Sequence, residues 1–156
     1  EPTAQAGLRK AIAEVRALGF KTGLHTGGPY PERLKALLPL LDWIALDIKA
    51  LPEDYPLVTG VPGSGDKAWQ SLELLVAAGA PLEVRTTPMP GLDDPAYLGA
   101  LMKRLGVAGV DRYALQQCRQ VDVLEQGLGL PARLADANEA IAVARSVFPH
   151  FSLRAG

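Results

Sequence analysis

The sequence predicts an α/β fold built on a parallel sheet, and three observations carry that expectation. Short apolar runs of strand length alternate with amphipathic stretches of helix length along the whole 156 residues. The connections between successive runs are long enough for the helical crossovers that parallel strands require. One run, Asp42-Trp43-Ile44-Ala45-Leu46-Asp47-Ile48-Lys49, is nearly continuous in apolar residues, as a strand buried on both faces is. The sheet is either open or curved into part of a barrel. No stretch recurs at a fixed period, which argues against a solenoid.

The elements follow in order. Leu8, Ile12, Val15 and Leu18 fall at helical spacing, with Arg9, Lys10, Glu14 and Arg16 interleaved, so a helix is expected over 5–18, stopped by Gly19. A strand over 20–25 runs into the turn cluster Thr26-Gly27-Gly28-Pro29. A helix over 31–38 starts on Pro31, whose missing N–H is harmless in a first turn, and ends at Pro39. The central strand, 42–49, comes next, then a long connection over 50–65 and a helix over 66–78 with Trp69, Leu72, Leu75 and Val76 on its buried stripe. A strand over 82–87 stops at Pro88-Met89-Pro90-Gly91, which cannot continue a ladder. A helix over 95–105, a strand over 112–117, a helix over 131–147 and a strand over 151–153 complete the chain.

Composition narrows the function. With 48% hydrophobic residues the chain is expected to form a single domain, 1–156, with a real core. A net charge of -1 leaves no footprint for nucleic acid, and no run of apolar residues is long enough to span a bilayer. Cys118 is the single cysteine, which excludes an internal disulfide and a multi-cysteine metal site, and suits a cytoplasmic setting. The opening Glu1-Pro2-Thr3 reads as the interior of a longer protein.

Ligands of parallel sheets bind at the carboxyl ends of strands. Those ends supply His25 and Thr26, then Asp47 and Lys49, then Arg85 and Thr87, then Gln116, Gln117 and Cys118. An acid, two cations, hydroxyls and amides around one mouth suit a small zwitterion carrying a carboxylate and sugar-like hydroxyls. The glycine-rich stretch 59–67 has P-loop glycine spacing, but Asp66 intrudes before Lys67 and Ala68 replaces the magnesium-binding hydroxyl; a flexible rim loop is expected instead of a phosphate cradle. Lys49 could serve as an imine-forming lysine, although a neighbouring carboxylate favours its charged form. His25 and His150 are too isolated for a metal pair.

Five segments together resemble the radical S-adenosylmethionine activating enzymes, in particular those that serve the anaerobic ribonucleoside-triphosphate reductase. They are Glu1-Pro2-Thr3, similar to the end of a Gly-Gly-Glu-Pro-Thr segment; residues 23–28; Leu46-Asp47-Ile48-Lys49; residues 59–65; and Glu83-Val84-Arg85-Thr86-Thr87. The resemblance implies a partial (β/α) barrel of the radical SAM type, here without its first strands, with S-adenosylmethionine and a [4Fe-4S] cluster at its mouth. It implies that a 5′-deoxyadenosyl radical abstracts hydrogen from a glycine of a partner reductase or another glycyl radical enzyme such as pyruvate formate-lyase, with flavodoxin or ferredoxin as electron donor. Position by position, it implies that Glu1 accepts from the methionine amino group, Thr26 lines the cofactor or a cation, Asp47 and Lys49 hold ribose and carboxylate, and Arg85 assists the carboxylate. Gly27 stands where the family has Asn. The three-cysteine cluster motif is expected upstream of Glu1, so this chain alone should be catalytically inactive, and its first strand should be an open edge inviting a homodimer. Two other classes stay open: a barrel aldolase or lyase using Lys49, and a non-catalytic binding module.

Overall fold

The computed structural model describes residues 1–89, 93–117 and 138–154. Five parallel strands lie in one sheet in chain order: β1 (Gly23–Thr26), β2 (Trp43–Asp47), β3 (Leu82–Thr86), β4 (Arg112–Gln116) and β5 (His150–Arg154). The order never reverses. A doubly wound sheet switches direction at a central point, whereas a (β/α) barrel advances strand by strand, so this is the progression of a partial barrel. The chain divides into two compact units, residues 1–84 and 85–156.

In the first unit, β1 pairs with β2 in parallel, Gly23 opposite Trp43 and Thr26 opposite Leu46. Ile44, Ala45 and Leu46 are fully buried, as the apolar run requires of a strand covered on both sides. Asp42, just before β2, accepts from the Thr22 N–H at 2.8 Å and from Arg16 Nη1 at 2.5 Å. That clasp sets where β2 begins, one residue later than the sequence predicts. Helix α1 (Leu8–Ala17) ends as expected on Gly19, at φ +88. Helix α2 (Pro31–Leu37) buries Pro31, Leu34 and Leu37.

The connection after β2 is more ordered than expected. A 3-10 turn over Pro52–Asp54 leads into helix α3 (Tyr55–Thr59), and α4 (Ser64–Ala77) starts two residues before the predicted helix. The glycine-rich stretch is not a flexible rim loop. Thr59 Oγ1 donates to the Tyr55 carbonyl at 3.0 Å and meets Ser64 Oγ at 2.7 Å, while Ser64 Oγ donates to the Val61 carbonyl at 2.7 Å. Gly60 and Gly63 take left-handed φ values of +68 and +73, whereas Gly65 serves packing: a Cβ there would clash with the Pro52 carbonyl.

Helix α1 departs most from its pattern. Its apolar stripe contributes no buried residue, and Val15, Leu18 and Phe20 are 41%, 75% and 64% exposed. The reason is topological. β1 is the first strand of the sheet order, so among the described residues no strand lies on its outer side.

In the second unit, β4 and β5 pair in parallel from Arg112 opposite His150 to Gln116 opposite Arg154. Helix α5 (Pro95–Val107) is capped by Asp94, whose carboxylate accepts from the Tyr97 N–H at 2.7 Å. Helix α6 spans Asn138–Val147; the predicted start at 131, like Cys118, lies outside the described residues. Leu98, Leu101, Met102 and Leu105 fill the core, where Tyr113 stacks on Phe148 at 4.5 Å.

Candidate functional site

The Glu1 side chain accepts four hydrogen bonds. It caps the 3-10 turn Pro2–Ala4 and reaches the end of β1. Oε1 accepts from the Thr3 N–H at 3.0 Å, Thr3 Oγ1 at 2.5 Å and Thr26 Oγ1 at 2.7 Å, and Oε2 accepts from the Gly27 N–H at 3.0 Å. Burial, the largest influence, raises the carboxyl pKa, but the bonds from Thr3, Thr26 and Gly27 together outweigh it and leave it below its usual value. The group is therefore a fixed anion at neutral pH. Thr26 is 3% exposed, and its one hydroxyl proton goes to Glu1 while the oxygen accepts from the Gly28 N–H at 3.0 Å.

The turn behind Thr26 admits only glycine. Gly28 has φ +72, and a Cβ there would meet Leu46 Cδ1 and Ser71 Cβ, each at 2.9 Å. Ser71, fully buried on α4, donates to the Gly28 carbonyl at 2.7 Å. Arg33 Nη1 holds the other flank, donating to the Thr3 and Ala4 carbonyls at 3.1 Å each.

Asp47 ends β2, one residue beyond the Leu46 that faces Thr26, so Glu1, Thr26 and Asp47 share the C-terminal edge of two paired strands. Two aromatic side chains fix the turn that follows. The Lys49 N–H donates to Tyr55 Oη at 3.0 Å, and Trp69 Nε1 donates to the Ala50 carbonyl at 3.1 Å. The Asp47 side chain is half-buried and that of Lys49 exposed. His25, exposed and opposite Ala45 in the register, shares the sheet face of Trp43 and Asp47, its ring 5.2 Å from that of Trp43.

Arg85 lies in the second unit, on β3, and is 8% exposed. Two predicted strand-end residues of that unit do meet: Gln116 Nε2 donates to Thr87 Oγ1 at 3.0 Å. Gln117 is held through its backbone N–H, which donates to the Arg154 carbonyl at 2.9 Å. Just after Thr87, Asp93 is buried, with Oδ2 accepting from the Met89 N–H at 2.6 Å and Oδ1 without a hydrogen-bond partner among the described residues. Burial raises its pKa to about 6 against the Met89 bond, with nearby Asp94 adding to the rise. Tyr113 is likewise buried, and burial raises its pKa too.

Sequence reasoning missed Ser71, Tyr55, Arg33 and Asp93. Ser71 left one trace, a hydroxyl at the i+3 position from Ala68 on an otherwise apolar helix face. Arg33 left none because its carbonyl partners lie about thirty residues upstream, and Tyr55 and Asp93 left none because their partners are backbone N–H groups of irregular segments, which carry no residue signature.

The chain's residues do not fit a [4Fe-4S] cluster. Such clusters draw on several cysteine thiolates, Cys118 is the one cysteine, and among the described residues no three His, Cys, Asp or Glu side chains gather as a metal site. An ammonium-bearing ligand does fit the anionic, pre-ordered Glu1.

No protein-family description matches the sequence, and no curated relative does. Solved structures do. The chain superposes on a domain of pyruvate-formate lyase-activating enzyme from Bacteroides vulgatus with a TM-score of 0.76 at 11% identity, covering 98% of this chain and 93% of that one. It superposes on Streptococcus suis SuiB bound to S-adenosylmethionine with a TM-score of 0.70 at 13% identity, covering 98% of this chain but 37% of SuiB. At such identities the likeness establishes a shared fold.

Proposed function

We propose that this chain is the S-adenosylmethionine-binding part of a radical S-adenosylmethionine activase that serves a glycyl radical enzyme. The observation that carries the reading is the Glu1 carboxylate, ionised and held by Thr3, Thr26 and Gly27 at the edge where β2 ends in Asp47. A fixed anion there is suited to the methionine ammonium, and the acid that ends the next strand and the base in the turn after it to ribose and carboxylate. In this reading Glu1 accepts from the amino group, Thr26 positions Glu1, Asp47 holds the ribose hydroxyls, and Lys49 neutralises the carboxylate. Bound S-adenosylmethionine supplies the 5′-deoxyadenosyl group. With no cluster ligands of its own, the chain by itself performs no radical step. The partner reading is the anaerobic ribonucleoside-triphosphate reductase, from the sequence resemblance; the Bacteroides vulgatus likeness favours a pyruvate formate-lyase type of partner as a second reading. Flavodoxin or ferredoxin as donor and a cytoplasmic location belong to the same proposal.

Calorimetric titration tests the cofactor. S-adenosylmethionine is expected to bind saturably, with methionine and adenosine each binding far more weakly, since neither half spans both groups of contacts. Absence of heat with the whole molecule would remove the proposal.

The uncovered apolar stripe of α1 and the edge of β1 support self-association of the isolated chain through this side. Light scattering is expected to show a dimer that Leu18→Lys with Phe20→Lys converts to monomer. A wild-type monomer at high concentration would count against it.

A further inference from the structure

We infer that a hollow on the first unit, between the Glu1 turn and helices α1 and α2, binds a small organic anion with an apolar body. It is lined by Thr3, Gln5, Leu8, Arg9, Arg33 and Leu37, among others, and encloses about 290 Å³. That is at the small end of ligand sites, which begin at about 300 Å³, so the occupant is metabolite-sized and not a peptide segment.

Its chemistry is one-sided. Leu8, Ala36 and Leu37 give it apolar walls, and none of its lining residues is acidic. Two guanidinium groups supply the charge, and neither pairs with a carboxylate among the described residues. Arg33 is already immobilised: Nη1 bridges the Thr3 and Ala4 carbonyls, and the guanidinium lies 4.8 Å from the centre of the Tyr30 ring. A cation fixed before binding loses little side-chain freedom on meeting an anion, and its planar fork suits carboxylate and phosphate oxygens alike. Arg9 makes no hydrogen bond or ion pair among the described residues, so it is available to close on the same headgroup. The hollow uses neither Asp47 nor Lys49, and the inference stands whether or not S-adenosylmethionine binds.

The test is an NMR titration of the ¹⁵N-labelled chain with phenyl phosphate, benzoate and, as the neutral counterpart, benzyl alcohol. Both anions are expected to shift the amides of Gln5, Arg9 and Arg33 saturably, and benzyl alcohol to bind at least tenfold more weakly. Arg9→Met, which breaks no bond of the folded chain, is expected to weaken the anions about tenfold and leave benzyl alcohol unchanged. Phenyl phosphate outbinding benzoate identifies a phosphate ester class of ligand, and the reverse order a carboxylate class. Equal binding of benzyl alcohol, an Arg9→Met chain that binds the anions as wild type does, or shifts scattered over the surface would each overturn the inference.

Discussion

Gly65→Ala is expected to destabilise the first unit by about 3 kcal/mol or more, because the added methyl has nowhere to go. Its Cβ would lie 2.0 Å from the Pro52 carbonyl oxygen and 2.8 Å from Pro52 Cα and C. These are backbone atoms of a proline in a 3-10 turn, not the yielding end of a side chain, so α4 must back away from the turn. That movement separates Trp69 Nε1 from the Ala50 carbonyl, a bond now 3.1 Å long, and loosens the segment that follows Asp47 and Lys49. Gly7→Ala is the control, with no atom within 4 Å of the new methyl. Denaturant unfolding followed by tryptophan fluorescence should separate the two variants. A Gly65→Ala chain within 1 kcal/mol of wild type would contradict the packing described.

Asp93→Asn is expected to stabilise the second unit by about 1–2 kcal/mol at neutral pH. The carboxyl titrates at 3.8 in the unfolded chain and at about 6 when folded, raised chiefly by burial. Between those values the folded state holds the extra proton, so the Asp93 contribution to stability falls as pH rises from about 4 to about 6 and stays low above that. Glu1 and Asp42 act in the opposite sense, since their lowered values favour the folded state as pH rises. The difference between wild-type and Asp93→Asn stability curves isolates the one group. The amide keeps an acceptor for the Met89 N–H and has no charged form to bury. Chemical denaturation from pH 4 to 8 should show the advantage of Asn growing with pH and levelling near 6. An unchanging difference would mean that Asp93 titrates as an ordinary surface acid.

The sequence made the strands and their order of succession readable because their signals are local. Ile44, Ala45 and Leu46 announce a strand buried on both faces, and Gly19 and Gly79 mark helix ends with φ values of +88 and +59. Which residues reach the strand ends was readable for the same reason: Thr26 ends β1 and Asp47 ends β2, where a parallel sheet opens. What was not readable depends on partners far along the chain. The glycines of 59–67 resembled a phosphate loop, yet Gly65 is small to let Pro52 approach. Tyr55 and Trp69 scan as ordinary core residues, and only the fold reveals that their polar atoms hold the turn after β2. Helix α1 illustrates the converse limit, since an apolar stripe states what a helix can bury and not whether anything covers it.

The central proposal is that Glu1 and Asp47, at one edge of the first unit, act on a single zwitterionic ligand. Calorimetric affinity for S-adenosylmethionine, measured on wild type, Glu1→Gln and Asp47→Ala, tests it most directly. Saturable binding by wild type with at least tenfold weakening in each variant is the expected result. Binding that survives both substitutions unchanged would contradict the account.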